Sequence, residues 1–206
     1  PFHVRSGELR EAIEGFKALN VLGVNVTIPH KRAVMSILDD ASREATLIGA
    51  ANTLIFCDGK VYGDNTDAQG FLQAMAEEGI DVPVGGSAVV LGAGGAARAV
   101  VVALALSGLN LITIANRTEW KANQLEKELA PTSETAISVV DLASSQLNAA
   151  IHSADLLVNT TSVGMKDTDQ LLIDLDSLSP DTTVYEIVYT SPETPFLRIA
   201  REKGCQ

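Results

Sequence analysis

The chain has 206 residues, a net charge of −11, 46% apolar residues and only two cysteines, Cys57 and Cys205. That length supports one large or two small packed domains, and the apolar fraction is too high for intrinsic disorder. The acidic balance, with a pI near 4.6, argues against a nucleic-acid backbone or an anionic membrane as the main partner, and the cysteine count argues against a disulfide scaffold or zinc site and for a reducing compartment.

In chain order, Ser6 is placed to cap a helix that runs to about Leu19, with Glu8 in its first turn. Residues 23–27 form a short strand, and Pro29 fits the first position of a helix over 29–40. A further helix covers 42–47. Residues 52–56 and 60–62 read as strands joined by an Asp58-Gly59 hairpin turn. A helix then starts near Asp67 and ends at Gly79, and residues 81–86 are the clearest linker.

The second half alternates. Strands fall near 87–91, 111–115, 136–140, 155–159 and 183–188, with helices near 95–107, 119–130 and 195–203 and a weaker one near 144–150. This rhythm predicts a doubly wound parallel sheet. Between Val82 and Ala115 the only charged residue is Arg98, so hydropathy alone would suggest a membrane span. The glycines at 85, 86, 92, 94, 95 and 108 and the change of period point instead to buried strand, apolar helix and buried strand.

Residues 89–97, Val-Val-Leu-Gly-Ala-Gly-Gly-Ala-Ala, fit G-x-G-x-x-A between a strand and a helix. Gly92 allows the tight turn, Gly94 lets the backbone approach a pyrophosphate, and Ala97 permits close helix–strand packing. A site for NAD places Asp or Glu at the end of the next strand to hold the ribose 2′-hydroxyl. Here the chain has Asn116, Arg117 and Thr118. A guanidinium pairs with a 2′-phosphate, so Arg117 points to NADP, with Asn116 and Arg117 as a plain surface helix start the alternative. Such a charge-assisted contact contributes about 1.5–3 kcal/mol.

Three polar clusters each follow a predicted strand: Asn25-Val-Thr-Ile-Pro-His-Lys31, Gly49-Ala-Ala-Asn-Thr53 and Gly63-Asp-Asn-Thr-Asp67. Lys31 falls in the first turn of the predicted 29–40 helix, where a cation opposes the macrodipole, which suits a lysine that gives and takes a proton. Asp67 falls at a helix start, where an anion is favoured. Together they would form an acid–base dyad. On spacing alone, a solvated lysine and a helix-capping aspartate is the simpler reading.

These clusters, in this order and followed by Gly-Ala-Gly-Gly-Ala-Ala-Arg-Ala, Asn-Arg-Thr, Asp155-Leu-Leu-Val-Asn-Thr-Thr-Ser-Val-Gly-Met165 and Val188-Tyr-Thr-Ser-Pro-Glu-Thr-Pro195, closely resemble shikimate dehydrogenases, of the shikimate/quinate dehydrogenase family. The resemblance implies an α/β fold: an N-terminal substrate domain (1–66), a connecting helix and linker (67–82) and a Rossmann-type NADP-binding domain (83–206), with a cleft between the two domains. It implies Lys31 and Asp67 as the catalytic pair, and Thr27, Asn52 and Tyr189 as substrate contacts. Gly92, Ala93, Gly94, Gly95, Ala96 and Ala97 would carry the pyrophosphate. Asn116, Arg117 and Thr118 would hold the 2′-phosphate. Thr160, Thr161 and Ser162 would line the cofactor edge, with Met165 near the nicotinamide. No metal is implied. The implied reaction is reversible reduction of 3-dehydroshikimate to shikimate with NADPH, in the cytoplasm, with a small molecule as partner and homodimer formation left open.

Glu186 departs from the Asp that the family more often shows there, with little consequence expected. His30 reads as packing or surface, and Trp120 as an exposed or partly packed helix residue. A quinate/shikimate dehydrogenase using NAD and a non-catalytic NADP-binding module are the alternatives. The resemblance further implies a preceding Ser-x-Ser segment and a following strand, glutamine and helix, so the 206 residues are expected to be part of a longer enzyme.

Overall fold

The computed structural model describes residues 1–130, 134–165, 171, 173–189 and 193–206. The chain divides into two compact units, Pro1–Phe71 and Leu72–Gln206. Both are mixed α/β.

In the first unit, α1 (Leu9–Ala18) buries Leu9 and Ile13. The sheet has the order β1 (Gly23–Asn25), β3 (Thr53–Cys57), β4 (Lys60–Asp64) and β2 (Asp40–Ala41). β1 and β4 run antiparallel to β3, and β2 runs parallel to β4. Asp58 and Gly59 both take positive φ, 51° and 75°, as a two-residue hairpin turn requires. That turn sets the register Cys57↔Lys60 to Thr53↔Asp64. Between β2 and β3, Ser42 caps α2 (Arg43–Ile48) by accepting from the Ala45 N–H, and Gly49 closes it at φ 66°. Ile13, Val34, Ala45, Leu54 and Val61 form the core beneath the sheet. Each large aliphatic side chain fully buried there contributes about 1.5–3 kcal/mol.

Two expectations fail here. Residues 29–40 are not an α-helix; they form turns and one 3-10 turn, Ala33–Ser36. In an α-helix the Lys31 carbonyl would accept from Met35. Instead it accepts from Ala51 N at 2.8 Å, and Met35 N donates to Arg32. A lateral bond to the segment before β3 therefore replaces the helical ladder. The end of that stretch is β2, pinned where Asp39 Oδ2 accepts from Val61 N at 2.7 Å. Ser6 also fails as a cap: α1 starts at Leu9 with Glu8 at the N-cap position and no side-chain cap bond.

In the second unit, five parallel strands have the order β7 (Ala136–Val140), β6 (Leu111–Ala115), β5 (Ser87–Leu91), β8 (Leu156–Asn159), β9 (Thr183–Glu186). Helices α4 (Gly95–Leu106), α5 (Glu119–Leu129) and α6 (Ser145–Ser153) follow β5, β6 and β7, and α7 (Pro195–Glu202) follows β9. β8 is buried at every residue and β5 at all but its first, as expected of strands covered on both faces. α3 (Asp67–Glu77) leads into this unit, and the boundary between the units falls within it. α4 is buried continuously over 97–104, which explains its all-round apolar sequence. Its one charge, Arg98, is buried and paired with Glu128 of α5. Among the described residues, no helix is long and apolar enough to cross a membrane. Strand order reverses between β5 and β8, the topological switch point at which open α/β sheets bind ligands.

Candidate active site

The hairpin register brings the first-unit clusters together. Asn52 lies one residue before β3 and donates its N–H to the Asp64 carbonyl at the end of β4. Asp67 follows three residues later, at the first turn of α3. Buried Asn65 spans the gap, donating to the Ala50 carbonyl at 2.8 Å and accepting from the Asp67 N–H at 3.0 Å. Lys31 reaches the same place through its backbone bond to Ala51.

Asp67 is held on both oxygens. Lys31 Nζ lies 2.6 Å from Oδ2, and Asn52 Nδ2 donates to Oδ1 at 2.8 Å. The Asn52 amide cannot turn over without loss, because its Oδ1 accepts from the Thr66 N–H at 3.2 Å and the Thr53 hydroxyl at 2.9 Å. The Lys31 and Asp67 side chains are 18% and 27% exposed, so the pair is partly desolvated yet reachable. Of the three N–H donors of the ammonium, two have no acceptor among the described residues. The arrangement is an oriented acid with donors left over for an oxygen brought to it. The macrodipole argument for Lys31 falls with the absent helix; the side chain is placed by the Ala51 bond instead.

Thr27 is exposed in the turn after β1, where its carbonyl accepts from the His30 N–H. No bond from its hydroxyl to the Lys31 cluster is present among the described residues. His30 is a packing residue, with Nε2 2.8 Å from the Val4 carbonyl oxygen. Two residues absent from the sequence-based site, Asn65 and Thr66, hold Asn52 and Asp67 in place. Both stand within the Gly63–Asp67 cluster, and an Asn-Thr pair ahead of a helix start was the available signal.

In the second unit, Gly92 takes φ +114°, and a Cβ there would sit 2.6 Å from Thr160 Oγ1. No side chain caps α4 at Gly94, and a Cβ on Gly94 would meet nothing within 4 Å, so the approach to the helix start is open. The first-turn N–H groups of a helix lack intrahelical partners and favour an anion. Gly95 and Ala96 lie at this partly open start, while Ala93 and Ala97 are buried beneath it. This cradle fits a dinucleotide pyrophosphate. After β6, Asn116 Nδ2 donates to the Thr118 carbonyl at 2.8 Å, and Arg117 is exposed with no acidic partner among the described residues. That leaves its guanidinium available to a phosphate.

After β8, buried Thr160 donates its hydroxyl to the Leu91 carbonyl at 2.6 Å, so it props the Gly92 turn rather than facing outward. Thr161 donates to Asn159 Oδ1 at 2.8 Å, while Ser162 is exposed and Met165 is 47% exposed. Tyr189 is 92% exposed, which excludes a core role. Trp120 is also exposed. Glu186 is engaged on both carboxylate oxygens. Its carboxylate accepts from Asn159 Nδ2 at 3.0 Å on each oxygen, from the Val188 N–H at 3.1 Å and from Thr194 Oγ1 at 3.4 Å. Burial pushes its carboxyl pKa up, and these donors only partly offset that.

Known proteins share this layout. The family model for the shikimate dehydrogenase substrate-binding domain matches residues 1–54, and that for shikimate/quinate 5-dehydrogenase matches 75–178. A shikimate dehydrogenase (NADP(+)) of Desulforamulus reducens is 41% identical over 99% of this chain and 71% of its own length. The shikimate 5-dehydrogenase of Listeria monocytogenes, solved with shikimate and NAD, is 35% identical with a TM-score of 0.87, over 100% of this chain and 73% of that one. The quinate dehydrogenase of Corynebacterium glutamicum, solved with NAD, is 34% identical with a TM-score of 0.86, over 98% of this chain and 72% of that one. The order of the polar clusters, the switch-point turn and these matches over nearly the whole chain lead to one conclusion: the chain belongs to the shikimate/quinate dehydrogenase family.

Proposed function

We propose that the chain carries the activity of an NADP-dependent shikimate dehydrogenase, reducing the ketone of 3-dehydroshikimate to shikimate and running in reverse. The observation that carries this reading is the Lys31–Asp67–Asn52 cluster, in a chain 41% identical to a relative named shikimate dehydrogenase (NADP(+)).

The bound nicotinamide supplies the hydride. As negative charge grows on the carbonyl oxygen, Lys31 Nζ donates a proton there, and it takes the proton back in the reverse direction. Asp67 orients the ammonium by its 2.6 Å contact. Asn52 keeps the other Asp67 oxygen engaged, so the carboxylate presents one edge only. Asn52 also donates to exposed Thr66 Oγ1 at 3.0 Å, a bond that a substrate hydroxyl could take over. Thr27 and Tyr189, both exposed, would supply further substrate contacts.

In the second unit, residues 92–97 would carry the pyrophosphate on the α4 start, and Asn116, Arg117 and Thr118 the 2′-phosphate. Thr161, Ser162 and Met165 would border the nicotinamide, with Thr160 supporting the turn from beneath. The division of labour is then proton handling and most substrate contacts in Pro1–Phe71, with cofactor handling and the Tyr189 substrate contact in Leu72–Gln206.

A second reading, an NAD-dependent quinate dehydrogenase, draws on the likeness to the Corynebacterium enzyme. Arg117, with no acidic partner among the described residues, favours NADP over it. The test is a spectrophotometric assay with shikimate or quinate and NADP or NAD. Turnover of shikimate with NADP ahead of the other three pairs supports the proposal. Preference for quinate with NAD transfers it to the second reading, and no turnover with any pair rejects both.

A further inference from the structure

Glu186 lies outside every role assigned above, yet three segments converge on it. β9 ends at Glu186, and the sheet register sets it opposite Asn159 at the end of β8. The Asn159 side chain is buried, and its orientation is determined: Oδ1 accepts from the Thr161 N–H at 3.0 Å and hydroxyl at 2.8 Å. Its Nδ2 must therefore face Glu186, and it also reaches the Val163 carbonyl at 3.2 Å. Thr161 Oγ1 in turn accepts from the Val163 N–H at 3.1 Å. One chain of bonds thus runs from the carboxylate through Asn159 into the segment that carries Ser162 and leads to Met165.

The second segment is the exit from β9. The Val188 N–H donates to Oε1 at 3.1 Å, fixing the backbone one residue before Tyr189. The third is the start of α7, where Thr194 donates to Oε2 at 3.4 Å while accepting from the Leu197 N–H at 3.3 Å as the helix cap. All of these partners are donors. A carboxylate is an acceptor on both oxygens and suits such a site, whereas a carboxamide of the same shape would turn its NH2 toward another N–H or O–H.

We infer that Glu186 is a positioning residue that locks the segment after β8 and the Tyr189 segment after β9 into one arrangement at the carboxyl edge of the sheet. Its bearing on turnover rests on the functional reading above, since Met165 and Tyr189 are the groups it would align. The locking itself does not.

The test compares the wild-type chain with Glu186→Gln and Glu186→Asp. Hydrogen exchange is followed without ligands at residues 160–165 and 187–189, and KM, kcat and NADP affinity are measured with shikimate. Removing hydrogen bonds to a charged group predicts exchange faster by about tenfold or more in both segments of Glu186→Gln. Exchange at 92–97 should be unchanged. kcat/KM for shikimate should fall by about tenfold or more, with NADP affinity weakened as the segment bordering the nicotinamide loosens. Glu186→Asp, which keeps the carboxylate, should recover part of both effects.

Unchanged exchange in either segment overturns the inference, as does lower thermal stability with wild-type exchange and kinetics. If the wild-type chain turns over no shikimate, the functional reading fails alone, and the exchange measurement still decides this one.

Discussion

Lys31 Nζ stands 2.6 Å from Asp67 Oδ2, across 36 residues of sequence. The lysine keeps two further N–H donors directed elsewhere, while the aspartate has both oxygens engaged. In the proposed function the pyrophosphate cradle lies in the other unit, so removing the lysine should cost turnover and spare cofactor binding. A positioned acid contributes roughly 10²–10⁴ in rate. Lys31→Ala should therefore lower kcat by a few orders of magnitude, with NADP affinity retained in a fluorescence titration. Near-wild-type turnover would remove the dyad from the mechanism.

Asp67→Asn keeps the shape of the cluster and deletes its charge. An amide at this position must present an N–H to Lys31 or to Asn52, both of which are donors there. Breaking such a partly buried pair leaves an uncompensated ammonium. Turnover should fall by about tenfold or more, since a hydrogen bond to a charged group contributes about 1.5–3 kcal/mol. Steady-state kinetics of the single variant, with thermal unfolding alongside, checks it.

Arg117 is the determinant of cofactor choice in the proposed function. Arg117→Ala should raise KM for NADP about ten- to a hundredfold, the equivalent of a lost contact of about 1.5–3 kcal/mol, and leave KM for NAD nearly unchanged. Equal losses with both cofactors would move the guanidinium away from the 2′-phosphate.

At Gly92 the backbone stands at φ +114° with Thr160 Oγ1 2.6 Å from where a Cβ would be. Gly92→Ala should therefore destabilise the second unit by about 1–3 kcal/mol and weaken NADP binding together. An unaltered urea midpoint would show that the turn tolerates a side chain.

Glu186 gives a signed pH dependence. Burial raises its folded-state pKa above the ordinary 4.5, so the native chain holds this proton more tightly than the unfolded chain. Its contribution to stability is fully present below the unfolded carboxyl range and is lost as pH rises through the folded pKa. The groups bonded to it, on Asn159, Ile187, Val188 and Thr194, are neutral donors, so burial dominates. Urea midpoints of the wild-type chain relative to Glu186→Gln should fall as pH rises through that window. A difference that does not vary with pH refutes the assignment.

The second unit was readable because its central strands β5, β6 and β8 are buried at almost every residue. β5, β6 and β7 fall where apolar runs predict them, and β8 begins one residue late, at Leu156. The hairpin was readable because Asp58-Gly59 allows few geometries. What could not be read was decided by bonds between distant residues. The 29–40 stretch has helical spacing, but Ala51 captures the Lys31 carbonyl. Lys31 and Asp67 were visible as residue types, whereas their meeting depends on Asn65, Ala51 and the register of β3 with β4. The bonding of Glu186 could not be read because its partners arrive from β8, the end of β9 and the cap of α7. An acid closing an otherwise uncharged strand, Thr183–Glu186, was the available sign.

The hairpin carries a further consequence. Side-chain orientation alternates along a strand, so sliding β3 against β4 by one residue would exchange faces along the pair. Asn52 would then lose the Asp64 carbonyl, and with it the alignment that sets its amide against Asp67. The two-residue turn at Asp58 and Gly59 thus acts as a length gauge for the Lys31–Asp67–Asn52 cluster, which it never touches. Inserting a single residue there would be read out as lost turnover, in a chain whose Lys31, Asn52 and Asp67 are all still present.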